Sequence, residues 1–268
     1  MKDVLKGLGY FVLYVIGTVM IQMVSSGIIA NVAMRTGKYK KEEIFSVVNN
    51  NLLGMTVISG LLMILLFMFI FFVRKKSIKA EWEWNCFDIK SAISICLVVF
   101  GISLLFSLLT KDVEFQNSIL IHDSAKYYSN IFPGFGMILM IANLLIIAPI
   151  SEEIVFRGVI YTRVEKTGKP IIAIAMSAIL FGAIHFMAGG GVLVLGAMVM
   201  GVLFGFTFYK FRSLPLCILA HIVANLPDFI LGQEIQYTKQ IMVLTISVSV
   251  ICILIGGLLL ARCRKEGE

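Results

Sequence analysis

The run LLGMTVISGLLMILLFMFIFFV, residues 52–73, contains no charged side chain. A helix needs about 20 mainly apolar residues to cross the hydrocarbon core of a bilayer, so this stretch alone specifies a transmembrane helix. Runs of the same kind recur along the chain, and the candidate spans are 8–33, 52–73, 91–109, 135–160, 170–187, 191–209, 213–231 and 240–261. Composition agrees: 59% of the 268 residues are apolar, 15% are charged and mean hydropathy is +0.95, against roughly a quarter charged in a soluble domain. The sequence therefore predicts an all-α polytopic membrane protein of about eight transmembrane helices. Residues 1–268 form one transmembrane domain, with no repeat, no low-complexity tract and a longest connection over about 111–134.

Charge sets the expected orientation. Seven of the 23 Lys and Arg residues (Arg35, Lys38, Lys40, Lys41, Lys111, Lys126 and Lys239) fall on one side, and the remaining sixteen on the other or at its helix ends. The positive-inside rule then places both termini in the cytoplasm. The net charge of +7 arises from these clusters, so no nucleic-acid partner is expected. The basic lead Lys2 and Lys6 precedes an apolar stretch longer than a signal-peptide core and reads as an uncleaved first helix. Five cysteines without C-x-x-C spacing imply neither a disulfide framework nor a thiolate metal site. Trp82 and Trp84 beside Lys79 and Lys90 suit an interfacial anchor.

The span 135–160 is interrupted by Pro149-Ile150-Ser151-Glu152-Glu153-Ile154-Val155-Phe156-Arg157. An ionised group near a bilayer centre costs at least about 2.5–3.5 kcal/mol by insertion scales, so a submerged carboxylate pair points to function. At helical spacing Glu153 and Arg157 are i, i+4 neighbours in the favourable order, while Glu152 lies about 100° away. Arg157 is thus expected to neutralise and position Glu153, leaving Glu152 as the working carboxylate. Pro149 removes a backbone donor just before the pair, where the helix is free to bend.

Two of the three histidines lie in apolar helices. His185 shares a face with Ala173 and Ser177, small residues that admit a close neighbour. His221 and Asn225 stand one turn apart on another helix. At about 1.5 Å per residue, Glu152, His221 and Asn225 lie about 16, 13 and 20 Å from the basic ends of their helices, near mid-membrane. His185 comes out about 24 Å from Lys169, which requires its helix to tilt or to end inside the protein before the glycines at 189–191. His122 is expected in a solvated loop, and Gly201-x-x-x-Gly205 is a helix-packing pattern.

A carboxylate with two imidazoles activates water. The water is held by the histidines directly or through a divalent metal such as zinc, with His185, His221 and Glu152 as donors, and Asn225 is suited to donate to an oxyanion. Both routes suit these residues. The motifs H-E-x-x-H, Gly-x-Gly-Asp and Gly-x-Ser-x-Gly are absent from the sequence. Proton-relay transport also uses buried Glu, His and Arg, but the sequence lacks the inverted repeat of such transporters.

Glu152-Glu153-x-x-x-Arg157, Phe181-x-x-x-His185 and His221-x-x-x-Asn225 resemble, in order, the three motifs of the CAAX-protease and bacteriocin-processing family, the type II CAAX prenyl endopeptidase family of intramembrane proteases. The resemblance covers about residues 135–231, the catalytic core region. It implies an intramembrane endopeptidase with Glu152 as base and His185, His221 and Asn225 completing the site. The expected substrate is a membrane-associated or hydrophobic peptide, either a leader or signalling peptide or a CAAX-like protein, with the lipid bilayer as partner. With no organelle-targeting signal, a bacterial plasma membrane is the expected location. The alternative is a non-catalytic bacteriocin-immunity or peptide-binding membrane protein.

Overall fold

A computed structural model of the chain describes residues 2–110, 116–231 and 238–263. Among these residues every regular element is helical. The elements are α1 (Lys2–Arg35), α2 (Ile44–Asn50), α3 (Leu52–Val73), α4 (Ile78–Glu81), α5 (Ile89–Leu109), α6 (Gln116–Ile131), α7 (Phe135–Glu165), α8 (Pro170–Ile184), α9 (Phe186–Phe211), α10 (Leu214–Leu231) and α11 (Lys239–Ala261). Six are long and apolar enough to cross a membrane: α1, α3, α5, α7, α9 over Gly190–Phe211, and α11. The other two expected spans fall on α8 and on Leu214–Pro227 of α10, apolar helices that are shorter. With 15 residues, α8 reaches only about 22 Å.

Helix α7 forms the centre. It departs from α geometry twice, with π-helical stretches at Ala142–Ile147 and Ile154–Tyr161. In a π-helix each N–H reaches five residues back, and such bulges mark functional sites more often than chance. All eight residues of the second stretch are buried. Neighbouring hydroxyls supply extra donors to its carbonyls, as a dry environment favours: Ser177 Oγ donates to Phe156 O at 3.0 Å, and Thr162 Oγ1 to Gly158 O at 2.8 Å and Val159 O at 3.0 Å. Phe11 and Tyr14 of α1 meet Phe156 edge-on. The opposite side of α1, with Ile16, Met20, Met23 and Ile28, is exposed, as expected for a lipid-facing surface.

Small residues bring α8 and α9 together. A Cβ on Gly201 would lie 2.8 Å from the Ala178 Cα, and one on Gly205 would lie 3.4 Å from the Ile174 Cα, so the Gly201-x-x-x-Gly205 face is a close helix contact. Gly101 against Ser249 and Gly256 against Ser94 do the same for α5 and α11.

Two connections differ from expectation. Within 111–134, residues Gln116–Ile131 form α6. Ser124 Oγ accepts from Leu53 N at 3.0 Å and donates to Asn50 O at 2.7 Å, tying α6 across the α2–α3 junction. His122 is consequently a half-buried helix residue. Trp82 is no interfacial anchor either: it is 2% exposed, sealed between Phe71 and Gly158, while Trp84 is exposed. Its aromatic bulk fits there because Gly158 leaves only 3.2 Å between a would-be Cβ and the indole. The segment 74–88 thus forms a strap across the basic end of α7. Leu214 N donates to Glu83 O at 3.0 Å, Asn85 Nδ2 to Arg212 O at 2.7 Å and Ser213 Oγ to Asn85 O at 2.6 Å. Arg212 clasps Glu165 through two bonds of 2.6 Å and reaches Glu83 at 3.2 Å. Hydrogen bonding to Glu165 is the main cause of a raised Arg212 pKa.

Candidate active site

The acids of α7 have opposite fates, because consecutive helical residues point in different directions. Glu153 is 0% exposed, and its Oε1 accepts from Arg157 Nη1 at 3.0 Å and from His221 Nδ1 at 2.9 Å. Arg157, also 0% exposed, uses Nη2 to bond Gly201 O at 2.9 Å. Its guanidinium carbon lies 4.8 Å from the Phe181 ring centre and 5.2 Å from that of Phe204. The desolvated cation is held between two aromatic faces and one carboxylate oxygen. Glu152 has a side chain 15% exposed, and its Oε2 stands 3.9 Å from His221 Nε2. That separation is beyond a direct hydrogen bond.

The contact with Glu153 fixes the imidazole of His221. A carboxylate accepts only, so Nδ1 carries a hydrogen, and in the neutral ring Nε2 turns a lone pair toward Glu152. The ring stacks on Phe204, 4.8 Å between centres at 22°. On the same helix, Asn225 Nδ2 donates to the Leu144 carbonyl at 2.8 Å, in the first π-helical stretch of α7.

His185 caps the C-terminus of α8, and α9 begins at Phe186, four residues before Gly190, which has a φ of 67°. Helix α8 thus ends at Ile184, before the glycines at 189–191. His185 Nδ1 lies 2.8 Å from Phe181 O; the carbonyl can only accept, so this nitrogen donates and Nε2 is left for another partner.

The structure thus joins Glu152, Glu153, Arg157 and His221 directly, and links Asn225 to the same helix α7 through Leu144. His185 joins through Phe181, whose ring centre lies 4.9 Å from that of His185 and 5.6 Å from that of His221. Phe204, Gly201 and Leu144 were not singled out for the site by the sequence, since an apolar ring or a backbone carbonyl in an apolar helix gives no compositional signal. Tyr14 was missed for the same reason; it is buried beside Glu152 with its hydroxyl at Ser151.

The expected metal donors Glu152, His185 and His221 were tested against this geometry. A catalytic zinc takes three protein ligands. Among the described residues no group of three His, Cys, Asp or Glu side chains is placed to hold an ion. Only Glu152 and His221 Nε2 face one another, and an aromatic ring, Phe181, is what joins the two histidines. This arrangement does not fit the three-donor site.

No curated protein and no solved structure matches the chain. Residues 134–227, from the start of α7 through the apolar part of α10, match the family model described as type II CAAX prenyl endopeptidase Rce1-like. Such a family implies endopeptidase activity on a peptide at the membrane, and the helices make the chain a multi-pass membrane protein. The three motifs and the helical bundle agree with this match: over residues 134–227 the chain is similar to the Rce1-like type II CAAX prenyl endopeptidases.

Proposed function

We propose that the protein is an intramembrane endopeptidase in which Glu152 activates the attacking water. The carrying observation is the division of labour between the two acids: Glu153 is consumed by Arg157 and His221, whereas Glu152 faces His221 Nε2 at 3.9 Å. Two acceptors about 4 Å apart are spaced to receive one hydrogen each from a single water through bonds of roughly 2.8 Å. Glu152 takes a proton as the water oxygen bonds to the scissile carbonyl carbon. When the C–N bond breaks, Glu152 returns that proton to the departing amine. The second hydrogen of the Asn225 amide serves the oxyanion of the tetrahedral intermediate.

The substrate we favour is a leader-bearing or signalling peptide at a bacterial plasma membrane, for which the apolar surroundings of Glu152 suit an extended hydrophobic segment. The test is hydrolysis of a membrane-anchored fluorogenic peptide by the purified protein in liposomes, with Glu152→Gln as control. The glutamine variant is expected to lose at least about 100-fold in rate while remaining folded. A wild-type protein that binds the peptide and leaves it intact would instead support a sequestering, non-catalytic role.

A further inference from the structure

The first π-helical stretch of α7 and the asparagine of α10 meet at one atom, the Leu144 carbonyl oxygen. Ala148 N–H donates to Asn143 O, five residues back, which fixes the π register at this point. In that register the next donor belongs to residue 149 and its acceptor is the carbonyl of Leu144. Residue 149 is a proline and has no N–H to give. The α register is closed as well, because a proline ring crowds the carbonyl four residues before it, here that of Leu145.

A backbone carbonyl left without a donor in an apolar interior is costly, and membrane proteins re-satisfy such groups from neighbouring helices. Leu144 O receives Asn225 Nδ2 at 2.8 Å. The orientation of the amide is set by chemistry: a carbonyl only accepts, so the nitrogen of Asn225 must face it. One of its two hydrogens is spent there and the other remains. Asn225 stands one helical turn beyond His221, whose Nε2 faces Glu152.

We infer that Pro149 is a positioning residue for the hydrolytic site: by withholding its N–H it leaves the Leu144 carbonyl to hold the Asn225 amide in place. The proline therefore has a second effect beyond bending the helix. It creates an acceptor on α7 that only a donor from α10 satisfies, so the helix bearing the two acids and the helix bearing His221 and Asn225 are registered at this bond. The catalytic consequence rests on the proteolytic role proposed above; the link between Pro149 and Asn225 does not.

The test is a cycle of Pro149→Ala, Asn225→Ala and the double variant, made in the full chain and compared with wild type in detergent. Thermal unfolding reads the link without any substrate. Asn225→Ala orphans the Leu144 carbonyl and is expected to lower the melting temperature by about 2–4 °C. In the Pro149→Ala background, where position 149 regains a backbone N–H or the helix returns to the α register, the same substitution should cost less than half as much. Equal losses in the two backgrounds would overturn the inference. Turnover of a membrane-anchored peptide reads the consequence: Pro149→Ala should lower kcat roughly 10- to 100-fold with KM within about twofold, and should add nothing to Asn225→Ala. Full kcat in Pro149→Ala, or additive losses, would remove the positioning role. Pro149→Ser also restores the N–H and must behave alike. If wild type hydrolyses no peptide while the melting effects remain coupled, the proteolytic role fails and the Pro149–Asn225 link stands.

Discussion

His221 Nδ1 donates to the same Glu153 oxygen that Arg157 holds, at 2.9 and 3.0 Å, so one buried carboxylate oxygen orients both the imidazole and the guanidinium. The arrangement makes Glu153 the hub and leaves Glu152, its chain neighbour, outside the network except across the 3.9 Å gap to His221 Nε2. The two acids should therefore respond differently to the same substitution.

Glu153→Gln removes the charge that compensates Arg157, whose guanidinium is 0% exposed. Leaving one partner of a buried pair uncompensated costs about 3–5 kcal/mol, so the variant should show a sharply lowered melting temperature and reduced yield. Glu152→Gln should melt close to wild type. Equal melting of the two variants would contradict the hub role of Glu153.

For the histidines the expected losses are in rate. His221→Gln and His185→Gln should each lower turnover at least about 100-fold per folded molecule. Interhelical hydrogen bonds of this kind average only about 0.6 kcal/mol, so stability should fall little. Stable accumulation with full turnover of either variant would make that histidine structural. Because no three donors converge among the described residues, incubation with a chelator should leave the wild-type rate unchanged; loss of activity restored by zinc would overturn that expectation.

The strap should open in acid. Partial burial acts to raise the pKa of Glu81, but hydrogen bonds and charge from Arg163 and Lys76 outweigh it, holding the carboxyl below the ordinary glutamate value. A depressed folded-state pKa contributes stability that is present above the unfolded value and is lost as pH falls through the folded one. In a Trp84→Phe background the fluorescence of buried Trp82 should shift to the red across that acidic window. Glu81→Gln should weaken the pH dependence.

Sidedness follows from the basic clusters. Residues 74–90 and 161–169 should face the cytoplasm, as should both termini. A cysteine replacing Lys166 should resist impermeant thiol reagents in intact cells and react after permeabilisation. Strong labelling from outside would reverse the topology.

The sequence by itself determined the helical membrane architecture, because only a bilayer absorbs apolar runs such as 52–73, and it marked Glu152, Glu153, Arg157, His185, His221 and Asn225, because polar groups are conspicuous where each is costly. The pairing of Glu153 with Arg157 was legible too, since four-residue spacing is local geometry. Which oxygen His221 takes, where α8 stops and what Asn225 holds were decided only in three dimensions. Those features depend on backbone register and on contacts between helices far apart in sequence: a carbonyl at Leu144 answering Asn225, an aromatic ring at Phe204 stacked on His221, a tryptophan at 82 pressed against Gly158. A local pattern carries no record of a carbonyl left open five residues before a proline. Only the packing of α10 against α7 shows which side chain fills it.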